Sequence, residues 1–172
     1  MDGIFIITPH VLSDISVMRD QTTVELTNTG WLDNGSTPSQ PCLRLHITLT
    51  SDDLAERFQP GDGSTYRPSD LDLYFRDRSS SRAAVEDGIL TISDRLTGDL
   101  LLEAVVSASV IERFVSAVRQ YAARTGNDRK YTVELQCEGT IATSFEKRIF
   151  IVYNAENELL RERSVVPGHI EL

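Results

Sequence analysis

Only one stretch of this chain, Ser109 to Arg124, carries a sustained helical period, and that scarcity decides which folds remain open. Parallel strands in an α/β arrangement need a crossover helix apiece, whereas the rest of the chain reads as short strands punctuated by turns. At 3.6 residues per turn, Val110, Ile111, Phe114, Val115, Val118, Tyr121 and Ala122 fall on one face of this helix. Glu112, Arg113, Ser116, Arg119, Gln120 and Ala123 fall on the other. Ser109 with Glu112 three positions later predicts a capping box at the start. Gly126 predicts the end, because a residue without Cβ takes the left-handed conformation that closes a helix, and Arg119 and Arg124 lie where cations favour the dipole. A helix of about 109–125 must therefore lay its apolar face on a sheet.

Period-two alternation supplies the strands. Leu43, Leu45, Ile47 and Leu49 alternate with Arg44, His46, Thr48 and Thr50, which puts His46 on the surface of a strand from Cys42 to Thr50. Leu71, Leu73 and Phe75 alternate in the same way, as do Tyr131, Val133, Leu135 and Cys137. Thr22 to Leu26 is a short first strand, and Ile89 to Ser93 with Asp99 to Val106 makes a hairpin whose Gly98 supplies a positive φ. Lys147 to Tyr153 reads as a strand buried on both faces, Asn154 to Asn157 as a turn, and Glu158 to Val166 as the last strand. Thr27 to Pro41, Gln59 to Asp70, Arg78 to Asp87 and Glu138 to Phe145 read as connections, and Ser51 caps one or two helical turns. Eight strands and one helix predict a mainly β (α+β) protein, an antiparallel β-sandwich with the helix packed on it. The run Tyr131-x-Val-x-Leu135 after a turn is similar to the penultimate strand of immunoglobulin-like sandwiches, where the tyrosine bonds back to the preceding corner.

At 172 residues and 40% hydrophobic content the chain is long enough to bury one real core, and no low-complexity linker divides it. Residues 18–172 are expected to form one domain. Residues 1–17 are expected to be a loosely attached extension or an upstream start, since apolar Ile4 to Ile7 is followed by Pro9 and no period runs on into the domain. No apolar run is long enough to span a bilayer and no basic n-region precedes Ile4, so the expectation is a cytoplasmic protein with no membrane partner. The net charge of −9 discourages contact with nucleic acid, which needs basic patches. Lys130 and Lys147 are the only lysines. Scarce lysine with abundant acid fits a salt-rich cytoplasm, and a G+C-rich genome would replace lysine by arginine equally well.

The search for chemistry returns no catalytic, cofactor-binding or metal residues. A nucleophile needs a histidine base, and His10, His46 and His169 lie in the N-terminal segment, on a strand surface and in the C-terminal tail. No nucleophile elbow, Walker loop or dinucleotide fingerprint is present. Cys42 and Cys137 each sit inside a strand without metal-ligand spacing and read as small buried hydrophobes. Among the acidic pairs, Asp52-Asp53, Asp70 with Asp72, Asp94 with Asp99 and Glu156 with Glu158, the Asp94–Asp99 hairpin comes nearest to a calcium loop but lacks its ligand density. Trp31 reads as a lid over one end of the core or as a binding aromatic. The function expected is a non-enzymatic protein-interaction or structural module with a protein partner or self-association. The rivals are a small-molecule or metal-assisted enzyme with loops around Trp31 and Asp62 to Tyr66, and an acidic nucleic-acid mimic. A pocket of convergent polar groups with shifted pKa values would count against the interaction reading.

The run Leu90-Thr-Ile-Ser-Asp-Arg-Leu-Thr-Gly-Asp-Leu-Leu-Leu-Glu103, the helix, and the end Phe145-Glu-Lys-Arg-Ile-Phe-Ile-Val-Tyr-Asn-Ala-Glu-Asn-Glu-Leu-Leu-Arg161 with Ser-Val-Val-Pro resemble a family of small acidic haloarchaeal proteins of unknown function. The resemblance covers Met18 to the end, implies a salt-rich cytoplasm and carries no activity or site residues. The chain departs from it in its first 17 residues and in being less acidic.

Overall fold

Alternating apolar residues give the strands their inner faces, and the strands assemble into two sheets that share one core. The computed structural model describes residues 19–60, 64–78 and 87–167. Its strands are β1 (Thr22–Thr27), β2 (Cys42–Ile47), β3 (Leu71–Asp77), β4 (Asp87–Asp94), β5 (Leu100–Ser107), β6 (Tyr131–Cys137), β7 (Thr140–Lys147) and β8 (Ile151–Tyr153). The helices α1 (Trp31–Asn34), α2 (Ser51–Arg57) and α3 (Ala108–Thr125) punctuate them. One sheet has the order β1-β2-β6-β7 and the other β5-β4-β3-β8. The mainly β, two-sheet class is as the sequence implied. The expectations for residues 1–17, for the middle of the Arg78–Asp87 connection and for the tail beyond Pro167 lie outside the described residues.

The sheets are mixed rather than purely antiparallel. Four pairings are antiparallel, but β2 pairs with β6 and β3 with β8 in parallel. No crossover helix per parallel pair is needed, because the chain leaves the first sheet after β2, builds β3 to β5 of the second, and returns through α3 to lay β6 beside β2. Register then stacks Leu43 on Val133 and Leu45 on Leu135 in one sheet, and Leu73 on Ile92 and Phe75 on Leu90 in the other. All eight side chains are buried in one apolar cluster. Gly88 of β4 is obligatory there, since a Cβ would overlap the Phe75 ring and the Arg76 carbonyl oxygen.

Helix α3 covers this core through Ile111, Phe114, Val115 and Val118. Phe114 meets Tyr131 and Phe150 edge to face, with ring centroids 4.9 and 5.0 Å away, in a knot that joins helix, β6 and the segment before β8. The Tyr131 hydroxyl donates to the Ile149 carbonyl at 2.7 Å, so it reaches forward along the chain and not back to a preceding corner as in the immunoglobulin pattern. The helix starts one residue earlier than expected. Ser107, and not Ser109, is its cap, accepting from the Val110 amide; Glu112 instead approaches Arg163 at 3.6 Å. Gly126 closes the helix at φ 73°, as expected. Helix α2 is likewise capped by Thr50, where Ser51 was expected.

The largest departures lie after β6. The connection read over Glu138–Phe145 is mostly strand: β7 runs from Thr140 to Lys147, turned back on β6 at Glu138 and Gly139. Five of its first residues, Thr140 to Ser144, are exposed, so there is no alternation to see. The strand read over Lys147–Tyr153 shrinks to Ile151–Tyr153, and that over Glu158–Val166 becomes a 3-10 turn at Arg161–Arg163 between isolated bridges.

Candidate functional site

The residues that chemistry would ask for first are committed to structure. His46 stands on the outer face of its sheet with Nε2 2.8 Å from Glu25 Oε2, while Arg44 beside it donates to Glu134 at 2.8 Å. Acids alternate there with a cation and so do not form an unbroken acidic face. Cys42 lies level with Thr132 and Cys137 with Ile47 on parallel neighbours, which puts the two thiols about 16 Å apart at 3.3 Å per residue. Both are free and buried, and desolvation raises both pKa values, away from nucleophilic thiolate.

The Asp94 hairpin is filled from within. Its carboxylate accepts from the Leu96 and Thr97 amides at 2.8 and 3.2 Å and from the Tyr66 hydroxyl at 2.8 Å, and these donors, Tyr66 first, hold its pKa low. An oxygen so engaged is a turn former. No group of three or more His, Cys, Asp or Glu among the described residues could hold a metal ion. Trp31 is buried at the head of α1, donates from Nε1 to the Asn28 carbonyl at 2.7 Å and carries the Arg124 guanidinium 5.3 Å from its ring centroid. Its burial accords better with the lid reading than with an exposed binding aromatic. Of the loop site imagined beside it, Asp62 lies outside the described residues and Tyr66 is turned to Asp94.

A different place stands out. On one side β1 lies against β5; on the other, beyond β7 and β8, the two sheets part around a cleft of about 570 Å³. Four cations line it: Arg95 from the β4–β5 turn, Lys130 just before β6, Lys147 at the end of β7, and Arg148. Two acidic residues, Asp72 and Glu146, also line it, so the lining residues sum to +2 in a chain of −9. Both of the chain's lysines are therefore in this one cleft. Lys147 donates to the Pro68 carbonyl at 2.8 Å and the Leu71 carbonyl at 2.6 Å, tying the first sheet to the second, and desolvation lowers its pKa. An ammonium has three donors, which leaves one. Arg95 is 3.8 Å from Asp72, Arg148 is 3.3 Å from Asp128, and Glu146 accepts from Gln40 at 2.8 Å. The Lys130 ammonium has no partner among the described residues. Tyr74 and Tyr153 form one wall, edge to face at 5.9 Å, and burial raises the Tyr74 pKa.

A second groove, of about 340 Å³, runs along α3, and its two cations are tied to the protein. Its Arg119 donates to the Glu162 and Ser164 carbonyls and its Arg163 to Asp77. In the sequence, Lys130 and Lys147 stand far apart and nothing local relates them. What would have brought them together is the β6–β7 hairpin, in which Lys147 pairs with Tyr131, the neighbour of Lys130.

No helix among the described residues is long and apolar enough to cross a membrane. No curated protein and no solved structure is matched by this chain. A family model does match it, over residues 17–172. With nearly its whole length so matched, the chain belongs to DUF5793, a family of unknown function.

Proposed function

We propose that the protein is a non-enzymatic binding protein that takes a small anion in the cleft between its two sheets. The observation that carries this reading is the convergence of both lysines with Arg95 and Arg148 on one opening of a strongly acidic chain. An acidic protein repels anions at long range, so a local positive lining with a free ammonium is a feature that a merely soluble surface does not need. The cleft, with the lowered Lys147 and the raised Tyr74, is the kind of polar pocket that favours a small ligand over a protein partner. Support for non-enzymatic binding comes from His46, Asp94 and both cysteines, each engaged or buried away from it. Calorimetric titration with anionic probes at low ionic strength tests the reading. Binding should weaken at least tenfold, roughly the cost of one lost charge-assisted hydrogen bond, in Lys130→Glu; equal binding by this variant would defeat it.

A protein partner or self-association is the second reading, favoured by the exposed, uncharged run Thr140–Ser144 on an edge strand. The register shift opposite Leu135 and Gln136 opposes it, because a bulge turns an edge away from further pairing. A concentration-dependent mass in sedimentation that Ile141→Lys abolishes would favour it over the cleft.

A further inference from the structure

Resting on that reading, we infer that the cleft selects an amphipathic organic anion: one acidic head held by Lys130 and the spare donor of Lys147, with an aromatic or branched apolar body laid against Tyr74, Tyr153, Ile149 and Ile151. Size is the first argument. A cleft of about 570 Å³ lies within the range of about 300–1,000 Å³ that organic ligands fill, and a bare inorganic anion would leave most of it to water. The second argument is the lining. Tyr74, Tyr153, Ile149 and Ile151 are each only partly buried, so an apolar body placed on them removes their remaining surface from water. Third, the charges limit the head. Among the described residues Lys130 has no partner and Lys147 keeps one donor, whereas Arg95 and Arg148, more than half exposed and loosely paired, can swing to a second oxygen. Asp72 and Glu146 on the same lining repel a polyanion and leave room for one or two negative charges. A carboxylate and a phosphate monoester share this chemistry.

The test is calorimetric titration of the full chain, at low salt, with phenyl phosphate, benzoate, inorganic phosphate and the neutral benzamide. Phenyl phosphate or benzoate should bind at least about tenfold more tightly than inorganic phosphate, as burying a ring predicts, and at least about tenfold more tightly than benzamide. The better of the two charged aromatics identifies the head. Tyr153→Ala should erase the advantage over inorganic phosphate while leaving inorganic phosphate itself unchanged, and Ile149→Ala, outside the strands, should reduce it in the same way should the tyrosine variant not fold. Inorganic phosphate binding as tightly as phenyl phosphate would overturn this inference and leave the anion reading standing. Benzamide matching the better of the two charged aromatics, or no binding by any probe, would overturn both.

Discussion

The protein is fastened in two places by opposite means. At the aromatic knot, Phe114, Tyr131 and Phe150 interlock with none of the three rings exposed to solvent, and the one polar atom, the Tyr131 hydroxyl, is satisfied by Ile149. At the cleft, a few residues away, Lys147 fastens the same pair of sheets through two backbone carbonyls and stays half in water. The two meet in register, since Lys147 pairs with Tyr131 across the β6–β7 hairpin. A knot of rings resists change because any gap costs contacts on all sides. A polar latch holds geometry at smaller cost and can exchange partners with solvent or ligand. The difference separates what keeps the fold from what presents the cleft.

The strongest way to break the comparison is at the knot. Phe114→Ala should destabilise the protein by about 3–5 kcal/mol, the usual loss for a fully buried phenylalanine whose site cannot collapse. Urea melts read this directly, and a loss below about 1 kcal/mol would mean that α3 is not a core element.

Lys147→Met should cost less, about 1–2 kcal/mol, because the Pro68 and Leu71 carbonyls lose their donor but lie near enough to solvent for water to replace it. Its signature is local. Amide exchange in β7 and around Pro68 should accelerate while protection in α3 stays the same; uniform acceleration would place the latch on a level with the knot.

The helix that carries Phe114 offers a finer test. Ser107→Ala removes the observed cap and should cost about 1 kcal/mol, whereas Glu112→Ala removes only a long pair between Arg163 and an exposed carboxylate and should cost about 0.5 kcal/mol or less. Equal effects would restore the capping box read from Ser109 and Glu112.

What was legible follows the same division. Core strands announce themselves, because Leu43, Leu45, Ile47 and Tyr131, Val133, Leu135 must alternate to be buried on one face, and α3 shows its period for the same reason. Strand β7 does not, since Thr140 to Ser144 bury nothing and are ordered by backbone pairing to β6. The run from Lys147 to Tyr153 misleads in the other direction: Phe150 is buried through the knot and a bridge to Val165, and Val152 through the parallel pairing to β3, so one apolar run serves two structures. Parallel pairing itself has no local signature. The cleft inherits both blind spots, because Lys130 and Lys147 become neighbours only once β7 is a strand, and Tyr74 meets Tyr153 only once β8 lies parallel to β3.

The smallest expected effect is a dependence on pH that contrasts the two partners of the Tyr131–Lys147 pair. Burial disfavours the charged form of each, which raises the tyrosine pKa well above 10.0 and lowers that of the lysine from 10.5. For Lys147 the unfolded chain therefore binds more protons than the folded one between the lowered folded value and 10.5, and stability rises with pH across that window. For Tyr131 the unfolded phenol ionises first, so stability falls as pH climbs past 10.0. The two slopes oppose each other in the wild type, and Lys147→Met removes only one. Subtracting urea-melt free energies of the variant from those of the wild type at a series of pH values should leave a difference that grows with pH below 10.5 and then levels off. Because Lys147 is only half-buried, solvent screening keeps the total change small. A flat difference would mean that the two carbonyls compensate fully for the burial of the ammonium, and a falling one would mean that the latch holds its proton more tightly in the fold than in water.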